Sequence, residues 1–345
     1  MRIYVNTINN IILGDDLLIL KTIKKIIIIN IVTILVTVII IAIYYKGPLL
    51  ITYNVLKELE DDNKSVATLN NLTDYYTLNS MDIEKLNFKD TNNPKVYMDL
   101  FLSKVEKKKS PVVIYVHGGS WIYGDNGIPK DLEPIIKSFN EMGFTIISLS
   151  YELLEKDVPL SNPVSDVKDA IRWVYKNKDK YNFDTDEIGL FGVSSGAHLS
   201  LLAAYSDDED FIGDKSLSPY SSKVKYVIDI FGPTELSSLD FSILDEDIKD
   251  DIKELNNIDL INEIYSPIYY IRKDSPKTLI IHCKNDVIVP YSNAIDLYNA
   301  LVQIGAKSKF LSLESGSHTF EDFDNKEIIA LIYETLKFIS NNTKL

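Results

Sequence analysis

The chain has 345 residues, 46% of them hydrophobic, and a formal net charge of −14, enough apolar content to bury a real core in one large domain or two ordinary ones. The charge is uneven: residues 1–46 carry five Lys/Arg against Asp15 and Asp16, which leaves 31 basic against 48 acidic residues in the rest. A body that acidic repels phosphate backbones and argues against nucleic-acid binding, and Cys283, the single cysteine, excludes an intrachain disulfide and any cysteine-based zinc cluster.

Residues 26–45, IIIINIVTILVTVIIIAIYY, contain no charge. At 1.5 Å per residue, a helix of that length spans roughly the 30 Å hydrocarbon core of a bilayer. Lys21, Lys24 and Lys25 precede the run, and Tyr44 and Tyr45 stand where an interfacial belt belongs. A buried core helix would also be apolar, but few soluble helices are apolar all round for so long. A cleaved signal peptide would carry a shorter run and a small-residue site, and no Ala-x-Ala pattern follows Ile43. The expectation is a cytoplasmic segment 1–25 and an uncleaved single-pass transmembrane helix 26–45. A linker or stalk, 46–81, and a main domain, 82–345, would then lie outside the cytoplasm.

From Asp82 onward, strand-like and helix-like periods alternate. DIEKLNF and KVYMDLFLS alternate apolar and polar residues, whereas PVVIYVHGG is a continuous apolar run that suits a central strand. Helix DLEPIIKSFNEMG, strand FTIISLSY, helix PVSDVKDAIRWVYKNKDKY, strand EIGLFGV, helix SGAHLSLLAAYS and strand VKYVIDIFG follow. After an acidic, irregular stretch, 234–275, come strand TLIIHC, helix SNAIDLYNALVQIG, strand KSKFLSLE and helix KEIIALIYETLKFISN. This alternation implies a mostly parallel sheet with helices on both faces.

In such a sheet, ligands bind beyond the carboxyl ends of the strands. His117-Gly118-Gly119-Ser120-Trp121 follows VVIYV, and Val193-Ser194-Ser195-Gly196 follows IGLFG. Lys284-Asn285-Asp286 follows TLIIHC, and Ser315-Gly316-Ser317-His318 follows KFLSLE. Residues 192–196 fit G-x-S-x-G with Ser194 at the centre, a tight strand-to-helix turn that needs flanking glycines. A serine-rich helix N-cap would account for the same five residues, so the partners decide. A serine hydroxyl needs an imidazole to take its proton, and His318 stands after the last strand. Asp286, after the preceding strand, can hold that imidazole in one tautomer; Asp229, inside its strand, is the runner-up acid. Negative charge on a carbonyl oxygen calls for fixed donors, which the N–H groups of Gly118, Gly119 and Ser195 can supply. Among the other histidines, His198 reads as a packed core group, His282 as structural and His117 as a brace for the glycine loop. No metal-ligand spacing and no cofactor motif is present.

These residues resemble the α/β-hydrolase carboxylesterases with an HGG oxyanion loop, the hormone-sensitive-lipase-like esterases and their feruloyl-esterase-like bacterial relatives. The resemblance covers roughly residues 82–340 and rests on YVHGGSWIYGD, DVKDAIRWVYKNKDKYNFDTDEIGLFGVSSGAHL, IFGPTEL, SPKTLIIHCKNDVIVPYSNAIDLYNAL and ESGSHTF. It implies an α/β-hydrolase fold and a serine hydrolase without a cofactor, acting on a small-molecule ester. Ser194 would be its nucleophile, Asp286 its acid, His318 its base, and Gly118, Gly119 and Ser195 its oxyanion donors. Ser195 departs from the small apolar residue usual there, and Cys283 stands where a glycine often precedes the acid loop. Stretch 234–275 falls where the family inserts helices over the pocket, so it is expected to be either a small helical lid that excludes water and selects the acyl chain or a solvated insertion. The resemblance also leaves open an amide hydrolase of the same fold, kynurenine-formamidase-like or a small-peptide peptidase, and a catalytically silent binding protein.

Overall fold

The computed structural model describes residues 82–344, apart from 104, 106–108, 156–157, 241–257 and 321–322. The expected anchor and stalk lie outside the described residues. Among the described residues no helix is long and apolar enough to cross a membrane.

Eight strands form one sheet. In chain order the elements are β1 (Ile83–Leu86), β2 (Tyr97–Phe101), β3 (Ser110–Val116), α1 (Glu133–Glu141), β4 (Thr145–Ser150), α2 (Ser161–Lys176), the single turn α3 (Lys178–Tyr181) and β5 (Phe183–Val193). Then come α4 (Ser195–Tyr205), β6 (Tyr226–Ile230), α5 (Ile258–Tyr265), β7 (Lys277–Cys283), α6 (Ser292–Gln303), β8 (Ser308–Leu313) and α7 (Asn325–Asn342). The strand order is β1-β2-β4-β3-β5-β6-β7-β8. β2 pairs antiparallel with β1 and β4; every other pairing is parallel.

The central strands are apolar on both faces because both faces are covered. In β3, Val112, Ile114 and Val116 join one core with Val164, Val167 and Ile171 of α2, Leu199 and Leu202 of α4, and Leu297 and Leu301 of α6. The alternate residue Tyr115 points to the other face, where its ring lies 6.0 Å from Phe191 and Phe139 of α1 packs edge-on to the same phenyl. The polar positions of α2 are buried as well. Asp166 pairs with Lys89 and Asp169 with Arg172 at 3.0 Å, while Asp169 also accepts the Asp214 N–H. These charged groups are paired or hydrogen-bonded, as burial requires.

Three boundaries differ from the sequence reading. α1 is preceded by a 3₁₀ turn, Lys130–Leu132, because Pro134 suits only the first helical turn. β5 begins at Phe183, beside Ser110, and its pairing with β3 shifts register before Ile188. The stretch 234–275 is not irregular throughout: it contains α5 and 3₁₀ turns at Leu236–Ser238 and Pro267–Tyr270. Leu236, Ile261 and Tyr265 are buried, and Thr234 is hydrogen-bonded to Asn293, so both ends of the stretch are fastened to the body. The middle of the expected lid, 241–257, lies outside the described residues.

Candidate active site

The parallel strands β3, β5, β7 and β8 end on the same side of the sheet, and the predicted site residues stand on the loops that follow them. Ser194 lies between the last residue of β5 and the first of α4, with φ +52° and ψ −122°. A non-glycine residue there carries strain on the order of 1–3 kcal/mol, held by its surroundings. The Ser194 N–H donates to the Ile230 carbonyl at 2.8 Å. A Cβ on Gly196 would lie 2.2 Å from the Val116 carbonyl oxygen, and one on Gly192 2.5 Å from Ala197 Cα. Both clashes are with backbone, which explains the two glycines around a serine turned outward.

Ser194 Oγ is 2.8 Å from His318 Nε2, and His318 Nδ1 is 2.7 Å from Asp286 Oδ2. The other Asp286 oxygen accepts the N–H groups of Ile288 and Val289 at 2.9 and 2.8 Å. Burial works against ionisation of Asp286, but His282, His318 and the backbone donors outweigh it and hold the carboxyl well below the usual range. The acceptor is therefore anionic, and the imidazole must keep its proton on Nδ1, leaving the Nε2 lone pair for the serine hydroxyl.

The glycine loop packs directly on this serine. A Cβ on Gly118 would stand 3.1 Å from the Val193 carbonyl oxygen and 3.3 Å from Ser194 Cβ. Gly119 has φ +121°, and Ser120 and Trp121 follow at +52° and +65°. His117 stacks on Tyr151 at 4.2 Å, and its Nδ1 is 2.7 Å from the Gly118 carbonyl oxygen, so it does brace the loop. Ser195 opens α4, where amide groups face outward along the helix dipole. Its own hydroxyl is buried beside the Tyr151 hydroxyl and makes no well-formed hydrogen bond. Gly118, Gly119, Ser194 and His318 line one open cleft of about 530 Å³, walled by Tyr123, Asp125, Pro129, Val193 and Ile288.

The remaining titratable groups sort themselves by contact. Burial pushes His198 down to about 4; Trp121 and the Tyr265 carbonyl occupy its two nitrogens. Asp229 is fully buried and pushed up to about 7 by that burial, despite the nearby His282 and the Gly232 N–H on its Oδ1. Asp286, not Asp229, is the carboxylate on His318. Among the described residues no cluster of three or more His, Cys, Asp or Glu is set to hold a metal.

Two further residues serve the site without an obvious mark in the sequence. His282 Nε2 donates to the Val289 carbonyl at 2.9 Å and lies 3.3 Å from Asp286 Oδ2. Glu327, in the first turn of α7, accepts the N–H groups of Glu314 and Ser315 and the Ser315 hydroxyl at 2.6–2.7 Å. It thereby folds the loop that carries His318. A capping pattern hints at Glu327, since Asp324 accepts its N–H as N-cap, but nothing local shows what its carboxylate reaches. Phe231, at φ +57°, packs its ring tilted against that of His318, with centroids 5.7 Å apart.

The sheet order and the chain order Ser194, Asp286, His318 place the molecule among the α/β-hydrolases. Within that class the chain belongs to the BD-FAE family, whose model matches residues 98–301. The resemblance drawn from the HGG and G-x-S-x-G motifs therefore holds. The chain is 25% identical over 240 residues to Esterase LipC of Mycobacterium tuberculosis, covering 68% of this chain and 59% of that protein. It is 26% identical over 243 residues to the probable isoprenylcysteine alpha-carbonyl methylesterase ICME of Oryza sativa subsp. japonica, covering 66% and 56%. The chain thus spans less than two thirds of the length of these curated relatives. Among solved structures it is similar to a truncated carbohydrate esterase from gut microbiota, at 26% identity and a TM-score of 0.60 over 77% of this chain and 99% of that one.

Proposed function

We propose that the chain is a serine hydrolase that cleaves carboxylic esters through an acyl-enzyme. The observation that carries this reading is the unbroken path from Ser194 Oγ through both nitrogens of His318 to Asp286, at 2.8 and 2.7 Å. Ser194 attacks the ester carbonyl while His318 Nε2 takes its proton. The amide groups of Gly118, Gly119 and Ser195 hold the oxygen as it becomes negative. His318 then returns the proton to the leaving alcohol, and water releases the acyl group by the same route. The ester-cleaving relatives support the reaction class, and the carbohydrate-esterase likeness places acylated sugars first in a substrate panel. Labelling by a fluorophosphonate probe and turnover of p-nitrophenyl acetate, both lost in Ser194→Ala, test it. A wild-type chain that neither labels nor turns over refutes it.

The same proposal includes a tether: residues 26–45 cross the membrane once and hold the hydrolase outside the cytoplasm. The support is the uncharged twenty-residue run with lysines on its N-terminal side. Protease shaving of intact cells is expected to remove the hydrolase domain, and full protection would overturn the orientation.

A further inference from the structure

His198 stands on α4, one turn beyond Ser194, and the proposed chemistry does not use it. Its ring is fully buried yet polar at both ends: Nδ1 is 3.1 Å from Trp121 Nε1, and Nε2 is 2.7 Å from the Tyr265 carbonyl oxygen. An indole N–H only donates and a carbonyl only accepts. The tautomer is therefore fixed, with Nδ1 accepting from Trp121 and Nε2–H donating to Tyr265. One imidazole thus joins the glycine loop, the helix that opens at the nucleophile, and the end of α5.

What it holds is strained backbone. Ser120 and Trp121 are both in the left-handed region directly after Gly119. Such residues persist only where the surroundings over-determine them. Trp121 is buried, its carbonyl accepts the Leu154 N–H at 2.9 Å, and its indole N–H goes to His198. The Gly119 carbonyl is turned inward to the N–H groups of Ile122 and Tyr123 at 3.0 and 2.8 Å. The course of these three residues fixes where the preceding amides point.

We propose that His198 is a positioning residue for the oxyanion loop: by accepting the Trp121 indole N–H, with α5 as its second anchor, it keeps the Gly119–Trp121 backbone in the form that presents amide donors to the substrate carbonyl. The proposal rests on the serine-hydrolase reading above. It assigns His198 an effect on the transition state rather than on substrate binding, since the donors matter most when the oxygen carries charge.

The test uses the full chain with His198→Phe, Trp121→Phe, the double variant and His198→Gln. With p-nitrophenyl acetate, His198→Phe is expected to lower kcat by roughly 10- to 100-fold, part of what losing one oxyanion donor costs, with KM within twofold. Affinity for a trifluoromethyl ketone, whose serine adduct is itself an oxyanion, should fall by the same factor as kcat/KM. The double variant should be no worse than the poorer single one, and His198→Gln, which keeps an acceptor and a donor, should recover part of the loss. Unchanged kcat and ketone affinity in His198→Phe overturn the proposal, as do losses that multiply in the double variant. If His198→Phe does not fold, Trp121→Phe carries both readouts, and unchanged values there overturn it equally. Failure of the hydrolase reading is distinguishable, because it shows in the wild type and in Ser194→Ala.

Discussion

His282 and His318 approach the same carboxylate oxygen from two sides: Asp286 Oδ2 lies 3.3 Å from His282 Nε2 and 2.7 Å from His318 Nδ1. A donor shared in this way spreads the negative charge of Asp286. Removing it makes the carboxylate more basic and favours the protonated form of His318. His282→Leu should therefore move the acidic limb of kcat/KM to higher pH and lower kcat roughly tenfold, less than the roughly 10²–10⁴-fold that a general base contributes, because His318 itself is kept. His282→Gln, which keeps an N–H, should stay close to wild type. A pH–rate profile of the three proteins checks both points.

The adjacent serines separate cleanly. Ser194→Ala should abolish turnover and probe labelling. Ser195→Ala removes a buried hydroxyl whose contact is the Tyr151 hydroxyl while keeping the amide N–H, so activity should remain within a few-fold of wild type. Its stability should change by no more than about 1 kcal/mol, because Tyr151 keeps its hydrogen bond to the His117 carbonyl and only its contact with Ser195 is lost. Chemical denaturation alongside the ester assay measures this.

The two buried carboxyls give opposite outcomes. Asp286→Asn should reduce kcat on the order of 10³–10⁴-fold, because the amide stabilises the wrong histidine tautomer. Asp229→Asn should remain active, and its stability should increasingly exceed that of wild type as pH rises. The folded pKa of Asp229, about 7, lies above its unfolded value, so its contribution is complete below about pH 4 and is lost as pH climbs toward 7. Asparagine escapes that loss and keeps the acceptor for Gly232. Its advantage over wild type should be near zero at pH 4 and on the order of 3–4 kcal/mol at pH 8, read from urea melts across that window.

Glu327→Ala tests support of the His318 loop from outside the cleft. Burial opposes ionisation of this carboxyl, but the Ser315 hydroxyl and the neighbouring backbone N–H groups hold its pKa below the usual range. The variant should lose about 1–3 kcal/mol of stability, the scale of a hydrogen bond to a charged group. It should also lose kcat while KM stays near wild type. A depressed pKa means the wild-type contribution is present above the unfolded value and disappears as pH falls through the folded one. The melting difference between the two proteins should therefore shrink in acid.

Much of this site is legible in the residues because its parts are local. Each is a short run just past a strand, with glycines wherever a Cβ would meet backbone, as at Gly192, Gly196 and Gly118. The alternation of strand and helix was equally local, and it places Ser194, Asp286 and His318 on one edge in an order that geometry then closes to hydrogen-bond distance. What the sequence could not show depends on pieces far apart in the chain. Nothing near Glu327 says that its carboxylate reaches back to the loop after β8. His198 reads as a packed core group, which it is, yet its two partners lie 77 positions before it and 67 after. Asp286 is preferred over Asp229 because it follows its strand while Asp229 lies inside one, and the hydrogen bond from His318 falls on Asp286. α5 falls where the resemblance places inserted helices, but eight residues are too few for periodicity alone to mark it.

Among the described residues β8 is the outermost strand on its side and pairs only with β7. The groups that build the cleft are therefore made in a fixed order during synthesis: glycine loop first, then the serine turn, the carboxylate and finally the histidine. In the proposed chemistry, a growing chain that has exposed Ser194 still lacks His318, the base that would activate it, and acquires it only when the last strand docks. Biogenesis thus supplies its own safety catch.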